Sequence, residues 1–330
     1  MKLKRMITLN MLLIMVAQLS AQGPNGTGTY YQAADGTKGS GLKTALGKII
    51  SPHKQLAYKD LWEAFMTTDR RDDGKVWDMY SGVTNYDFVT SGINSYGKEG
   101  VGYNREHSMP KSWFNDEYPM YTDLVHLVPT DGYVNGRRSN YAFGETEAPT
   151  YTSEGDFSKL GPSSIEGYTG TVFEPNDEYK GDFARIYFYM VTCYEDKVSA
   201  WESDMLAGNA YPAFTGWALD MLMRWAEEDP VSDKEINRNE AVYGIQGNRN
   251  PYVDYPGLEQ YVWGDKQDVA FSYDGEGTDT SIFVPTTDVQ TVDVYTVTGL
   301  KLRSGVSKSE ATKGLMKGVY IIGKRKYVVR

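Results

Sequence analysis

The sequence has 330 residues, of which 40% are hydrophobic and 13% aromatic, so the chain can bury a sizeable core and is not a disordered protein. The formal net charge of -10 excludes binding of nucleic acid by bulk positive charge, although a local basic patch can still bind phosphate. The single cysteine, Cys193, excludes an intrachain disulfide, and its apolar neighbours predict a small buried side chain.

The first predicted element is a secretory signal peptide over residues 1–21. Lys2, Lys4 and Arg5 precede an apolar run that ends near Leu19, and small residues follow it. A run of this length is too short for a stable membrane span, so we expect no transmembrane segment. A buried first helix is the alternative interpretation. We therefore expect a protein that is secreted or displayed on the cell surface and that passes through the periplasm in transit.

Residues 22–272 are predicted to form one α+β domain, because helix and strand signals alternate along them. The run VWDMYS is typical of a strand. Helices are predicted where apolar residues recur at helical spacing, over 41–50, 58–68, 183–194 and 217–225. Apolar stripes of this kind are typical of a hydrophobic core, and we assign no chemistry to them.

The stretch DLVHLVPTDGYVNGRRSN contains a helix start signal. Thr130 or Asp131 can cap a helix that begins near Gly132, because either side chain offers an oxygen to the first free backbone N–H groups. Asn135 and Arg138 are three residues apart on that helix. They are therefore predicted to share a face.

A second group of polar residues precedes this helix. Glu106 and His107 end a strand-like run, and His107 lies 28 residues before Asn135. With Arg138 they supply a carboxylate, an imidazole, an amide oxygen and a guanidinium. Mg²⁺ prefers oxygen ligands, a neutral histidine accepts a proton from an attacking water, and an arginine holds the nonbridging oxygens of a phosphate. The set therefore indicates metal-assisted hydrolysis of a phosphodiester.

Four sequence blocks resemble those of the bacterial endonuclease I family, which are secreted nonspecific nucleases with a ββα-metal (His-Me finger) site. The blocks are REHSMPKSWF, DLVHLVPTDGYVNGRRSN, KGDFARIYFYM and IQGNRNPYVDYP. The resemblance implies that His107 is the general base and that Glu106 and Asn135 are the metal ligands. It also implies Mg²⁺ as the cofactor, with Mn²⁺ or Ca²⁺ as alternatives, and DNA, with RNA in addition, as the substrate cleaved to 5′-phosphate ends.

The resemblance also bears on the basic residues. Arg138 is expected at the phosphate, as part of the catalytic set. Some family members carry a phosphate-contacting arginine in a disulfide-rich insertion that is absent here. Arg137, Arg138 and Arg185 are the candidates to replace it, and Lys111 is expected to bind phosphate with them.

The remaining polar residues are expected to act on structure. His126 lies between two apolar residues and is predicted to support the site from behind or to belong to the core. Asn140 is expected in the local structure after the helix. His53 follows a predicted helix and is expected on the surface or as a C-cap. The cluster QGNRNP is typical of an ordered loop with Asx turns rather than of a contact surface.

The C-terminal region has a different composition. Residues 291–330 contain nine Lys and Arg against two Asp and Glu, behind a Gly/Asp/Thr-rich linker over 273–290. Short β-type runs between turn signals predict a small all-β domain. The elements VYTVTG and GLMKGVYII resemble the C-terminal sorting domains of the type IX secretion system, which implies secretion machinery as a partner. A small accessory β-domain is the alternative.

Residue content disfavours two other enzyme classes. Three histidines, one cysteine and no HExxH motif leave too few ligands for a zinc hydrolase, and no GxSxG motif supports acyl transfer. A noncatalytic secreted module that binds nucleic acid or glycan would account for the 26 tyrosines. It would not account for Glu106, His107 and Asn135, so we predict a nuclease.

Overall fold

The computed structural model describes residues 22–89 and 97–275, together with 291–296, 301–307, 311, 315, 317–322 and 325–329. The predicted signal peptide and most of the predicted linker lie outside these residues. Within the described ranges, no helix combines the length and the apolar character that a membrane crossing requires.

The described residues form eight α-helices: α1 (Gly39–Ile50), α2 (Leu61–Thr68), α3 (Gly132–Arg138), α4 (Lys180–Cys193), α5 (Gly216–Glu228), α6 (Asp233–Gln246), α7 (Pro251–Asp254) and α8 (Leu258–Val262). The helices predicted from apolar spacing correspond to α1, α2, α4 and α5 and are confirmed. Every residue of α4 is buried, because this helix packs against α1, α5 and α7 in the centre of the core. Cys193 at its end is buried as predicted.

Two small sheets lie between α2 and α4 in the chain. In the first sheet, β1 (Tyr103–His107) pairs antiparallel with β2 (Leu127–Asp131), which places Glu106 opposite Val128. The second sheet has the strand order β3-β6-β5-β4 and consists of β3 (Ala142–Phe143), β4 (Tyr151–Thr152), β5 (Lys159–Pro162) and β6 (Thr171–Glu174). The architecture is therefore mixed α+β, as predicted.

Helix α3 follows β2 directly, and Asp131 forms its N-cap. The Asp131 carboxylate accepts from the backbone N–H groups of Tyr133 at 2.8 Å and Val134 at 2.9 Å. It also accepts from the N–H of Gly100 and the hydroxyl of Tyr86. The start of the helix agrees with the prediction, and Asp131 rather than Thr130 supplies the cap.

The run VWDMYS does not form a strand. Val76 takes part only in an isolated bridge. The Asp78 carboxylate then accepts from the backbone N–H groups of Tyr80 and Ser81 at 2.7 and 3.2 Å. These side-chain hydrogen bonds turn the chain and occupy donors that a ladder would use, so the strand prediction is wrong.

The C-terminal region forms a four-stranded antiparallel sheet with the strand order β10-β9-β7-β8. Its strands are β7 (Thr291–Thr296), β8 (Lys301–Ser307), β9 (Gly318–Ile322) and β10 (Arg325–Val329). Val294, Ala311, Tyr320 and Ile322 form a small hydrophobic cluster separate from the main core. The described residues of this region contain strands and no helix, in agreement with the predicted all-β fold.

The Asp131 cap can be tested against its neighbour. Asp131→Ala is expected to lower the free energy of unfolding by about 2 kcal/mol, the upper end for an N-cap, because Gly100 and Tyr86 also lose their acceptor. Thr130→Val is the matched control, since Thr130 is buried but does not cap, and should cost less than about 1 kcal/mol. Urea unfolding followed by circular dichroism measures both. Equal losses would contradict the assignment of the cap to Asp131.

Candidate active site

An open cleft of about 460 Å³ lies where β1, the loop that follows it and the C-terminal end of α3 meet. Most of the residues predicted for the site line this cleft, namely Glu106, His107, Lys111, Asn135, Arg138 and Asn140. Three predicted residues do not line it: Arg137, Arg185 and His126. The ββα arrangement therefore brings the predicted carboxylate, imidazole and amide into one place.

Glu106 is a buried carboxylate, with only 4% of its surface exposed. The Tyr80 hydroxyl donates to it at 2.9 Å and Arg138 Nη1 at 2.6 Å, and both bonds end on Oε1. Burial raises the pKa of Glu106, while Arg138, Tyr80 and the Asn135 amide act in the opposite direction. The second oxygen, Oε2, accepts neither of these two hydrogen bonds.

Arg138 is fully buried and holds the end of β1. Besides Glu106, its Nη1 donates to the His107 carbonyl at 3.0 Å and its Nη2 to the Ser108 carbonyl at 2.6 Å. Burial alone would lower the pKa of Arg138, but Tyr80 and Glu106 raise it, so the side chain stays cationic. This geometry favours a role in which Arg138 pairs with Glu106 and positions it, rather than the predicted contact with phosphate.

His107 lines the cleft, and one of its ring nitrogens holds the ring in place. Its Nε2–H donates to the Tyr121 carbonyl at 3.1 Å. Burial, and then the nearby His126, lower the pKa of His107 to about 3, so the ring is neutral near pH 7. The lone pair therefore lies on Nδ1, where it can accept a proton.

His126 lies behind His107, with 5.6 Å between the two ring centroids. It is fully buried, and its Nε2–H donates to the Met120 carbonyl at 2.7 Å. Burial lowers the pKa of His126, so this ring is also neutral. Its place matches the expectation of a residue behind the site, since it holds the backbone next to Tyr121.

Asn135 offers the second oxygen of the site. Its Nδ2 donates to Asn104 Oδ1 at 2.7 Å, which leaves its own Oδ1 as an acceptor. Together with Glu106 Oε2, this makes a donor set of one carboxylate oxygen and one amide oxygen. Hard cations such as Mg²⁺ prefer oxygen ligands and retain several waters, so this set fits the predicted cofactor.

Two of the predicted phosphate ligands lie elsewhere. Arg185 is 2% exposed, and its Nε and Nη2 donate to the Glu235 carboxylate at 2.5 and 2.8 Å. Its Nη1 donates to the Asp229 carbonyl. The predicted phosphate contact of Arg185 does not fit this arrangement, because the guanidinium is already paired. Arg137 is exposed and lies over the Tyr133 ring, 4.9 Å from its centroid.

Lys111 is a predicted phosphate ligand that does line the cleft. It is exposed and pairs with Asp116 at 2.6 Å, and both side chains are about half exposed. A surface pair of this kind contributes little and can be exchanged for a phosphate contact. Asn140 is exposed at the same cleft, next to Ser139.

Sequence reasoning missed Arg105 and Tyr58, which also line the cleft. The guanidinium carbon of Arg105 lies 3.5 Å from the centroid of the Tyr58 ring, and its Nη1 donates to the Tyr58 carbonyl at 2.6 Å. A signal for Arg105 was present, because a cation directly before a predicted metal ligand is a candidate for phosphate binding. Tyr58 had no such signal, since it lies 48 residues before Glu106.

A second group of potential metal ligands lies outside the cleft. His53, Asp123 and Cys193 place one ligand atom each within 4.8 Å of one another. The Asp123 carboxylate already accepts four hydrogen bonds, from Tyr189, Tyr194, Gln246 and the backbone N–H of Val125. This saturation fits an internal anchor better than a metal centre.

The same group corrects the expectation for His53. Its side chain is only 2% exposed and lies 4.0 Å from the Asp123 carboxylate. The surface position predicted for His53 is therefore wrong, whereas the C-cap alternative fits, because His53 Nδ1 donates to the carbonyl of Ser51, the C-cap residue of α1, at 2.9 Å. The QGNRNP cluster is an ordered loop as predicted, with Asn250 capping α7 and Asn248 buried.

Comparison with known proteins relates this site to nucleases. Residues 38–257 match the family described as Endonuclease I. The chain is 34% identical over 245 residues to the extracellular ribonuclease of Bacillus subtilis (strain 168), covering 72% of this chain and 79% of that protein. It is 32% identical over 132 residues to endonuclease-1 of Buchnera aphidicola subsp. Baizongia pistaciae, covering 40% and 46%. It is 26% identical over 141 residues to an extracellular deoxyribonuclease of Aeromonas hydrophila, covering 42% and 52%.

The positioning role of Arg138 can be tested against the adjacent arginine. Arg138→Met is expected to lower the free energy of unfolding by about 3–5 kcal/mol, because it leaves the Glu106 charge buried without a partner. Arg137→Met, which removes an exposed guanidinium, should cost less than about 0.5 kcal/mol. Urea denaturation measures both. Adding Glu106→Gln to Arg138→Met should recover part of the loss, and failure to do so would contradict the proposed charge pairing.

Proposed function

Because this chain belongs to the endonuclease I family, we propose that it is a secreted, metal-dependent endonuclease that hydrolyses DNA and RNA without sequence specificity. The protein is a nuclease and thus a hydrolase. The observation that carries the proposal is the shared cleft of His107, Glu106 and Asn135.

In the proposed mechanism, Glu106 and Asn135 would hold Mg²⁺, or Mn²⁺ or Ca²⁺ in its place. When bound, the ion would supply Lewis-acid stabilisation of charge on the phosphate and the leaving oxygen. His107 Nδ1 takes a proton from the attacking water, which becomes the nucleophile. Donation from Nε2 to the Tyr121 carbonyl keeps the ring in the required tautomer and stabilises the imidazolium that forms. Products with 5′-phosphate ends are part of this proposal.

Phosphate binding is assigned to Arg105 and Lys111. Both line the cleft, whereas Arg185 is paired with Glu235 away from it and Arg138 is enclosed. Contacts to phosphate position a nucleic acid without reading its sequence, which supports cleavage at many sequences. Relatives that are named ribonuclease, endonuclease and deoxyribonuclease support a substrate range that includes RNA and DNA.

Secretion is supported by the names of the relatives and by the N-terminal pattern. Several related proteins are named extracellular or periplasmic nucleases. We also propose that residues 291–330 serve delivery to the cell exterior rather than catalysis. Their separate hydrophobic cluster supports this division, because the sheet packs without the core of the catalytic region.

The three residues that carry the mechanism should respond differently to replacement. His107→Ala is expected to lower the maximal rate by about 10²- to 10⁴-fold with little change in the Mg²⁺ concentration at half-maximal rate, because only the proton acceptor is lost. Glu106→Ala and Asn135→Ala should shift that concentration upward, because they remove oxygen ligands. The measurement is the rate of plasmid nicking against Mg²⁺ concentration, with melting temperature as the folding control.

Two other histidines serve as controls for this series. His126→Ala should cost metal affinity or stability, on the order of 10- to 100-fold in affinity, because it supports the loop behind His107. His53→Ala removes a buried imidazole outside the cleft and should leave turnover of the folded protein near that of the wild type. A folded His107→Ala protein with near-normal turnover at saturating metal would overturn the mechanism.

The role of the C-terminal sheet is testable by truncation. A chain that ends at Val284 is expected to keep wild-type nuclease activity, because the cleft residues lie between Tyr58 and Asn140. The same truncation, expressed in the native host, should fail to reach the cell exterior. Activity in the culture fluid and in the cell extract measures both effects. Normal secretion, or loss of activity by a folded truncated protein, would sink the proposal.

A further inference from the structure

We propose that Tyr58, Tyr121 and Tyr118 form a stacking surface for nucleotide bases beside the reacting phosphate, so that the protein acts preferentially on single-stranded nucleic acid. The inference rests on the proposed nuclease function and specifies the form of the substrate.

The three tyrosines form a continuous row of rings next to the catalytic histidine. The centroid of Tyr121 lies 4.7 Å from that of Tyr58, 5.0 Å from that of His107 and 5.3 Å from that of Tyr118. Tyr58 lines the cleft and is nearly parallel to His107, with 24° between the ring planes. The row therefore starts at the proton acceptor and leads outward from it.

Exposure along the row increases away from the site. Tyr58 and Tyr121 are half-buried, and Tyr118 is 48% exposed, the highest value among the large hydrophobic side chains of the described residues. Core packing accounts for Tyr121 but not for a tyrosine ring that is half in solvent at the end of the row. Exposed aromatic side chains next to a cleft are typical of ligand contact.

Two cations accompany the rings. Arg105 lies against the face of Tyr58, and the Lys111 ammonium lies 5.5 Å from the centroid of Tyr121. Surfaces that bind single strands combine aromatic faces for the bases with positive groups for the backbone, and the combination is tolerant of sequence. The geometry supplies both parts within one short stretch of the cleft.

The selectivity follows from the accessibility of the bases. In a duplex, each base is stacked between its neighbours and paired, so a ring at the surface meets only sugar and phosphate. A base must leave the stack before it can lie against Tyr118, and the free-energy cost of this step is higher in a duplex than in a single strand. The rings therefore lower the free energy of the bound single strand and contribute little to a bound duplex.

The test compares Tyr118 variants on one strand, alone and annealed to its complement. Tyr118→Ala should lower kcat/KM on the single strand by about 5- to 100-fold, the effect of losing one stacked base, and change the duplex value by less than about twofold. Tyr118→Phe should behave as wild type. Tyr118→Leu, which keeps apolar bulk without a ring, should resemble Tyr118→Ala. Tyr243→Ala is the control, because Tyr243 is similarly exposed at 39% and its ring contacts Tyr30 instead of the row beside His107.

A second arm removes the base instead of the ring. The substrates are single strands that carry one abasic nucleotide, placed in turn at each position near the cleaved linkage. The wild type should cleave the strand more slowly when the base is missing at one of these positions. For Tyr118→Ala, the missing base at that position should slow cleavage little further. Equal losses on single strand and duplex, or a Leu variant as active as the Phe variant, would overturn the stacking role. A wild-type protein that cleaves neither form would instead refute the proposed nuclease function.

Discussion

The site depends on one carboxylate that is buried inside the protein beside an arginine. Moving an isolated carboxylate out of water costs several kcal/mol even after relaxation, and only a close partner with good hydrogen bonds offsets that cost. Arg138 is that partner for Glu106, at 2.6 Å. Helix α3 ends at Arg138 and begins at the Asp131 cap, so the length of the helix and its packing on β1 decide where the guanidinium lies. The ββα unit thus holds a cation against the Glu106 carboxylate, the proposed metal ligand.

The orientation of His107 depends on parts of the chain that carry no chemistry themselves. The Tyr121 carbonyl that orients it belongs to a loop fixed at Asp123, which accepts from the hydroxyls of Tyr189 and Tyr194. Arg238 of α6 donates to two further backbone carbonyls of the same loop, to the Leu127 carbonyl at the start of β2 and to the Asp69 carboxylate. The buried helices therefore contribute more than apolar packing, because their polar atoms fix the loop that orients His107.

The sequence alone was sufficient to predict the structure where the signal is local. The start of α3, the strand that ends in His107 and the shared face of Asn135 and Arg138 all follow from capping and spacing, and the structure has them. Burial was not predictable in this way. Arg185 pairs with Glu235, which lies 50 residues further along the chain, and only tertiary packing brings them together. The VWDMYS prediction failed for a different, local reason, because the Asp78 carboxylate accepts from the backbone N–H groups of Tyr80 and Ser81 and turns the chain there.

The number of basic residues in the sequence overstates the number of cations that the substrate can contact. The arginines of the family-like blocks are largely engaged inside, with Arg138 on Glu106, Arg185 on Glu235 and Arg249 on Asp254. Arg105 and Lys111 remain as accessible cations at the cleft. Two phosphate contacts correspond to a slope of only about -1.5 to -2 when the logarithm of the affinity is plotted against the logarithm of the salt concentration. Stacking of bases on aromatic rings is far less sensitive to salt. On a body with a net charge of -10, contacts to unpaired bases would therefore carry a growing share of substrate binding as ionic strength rises.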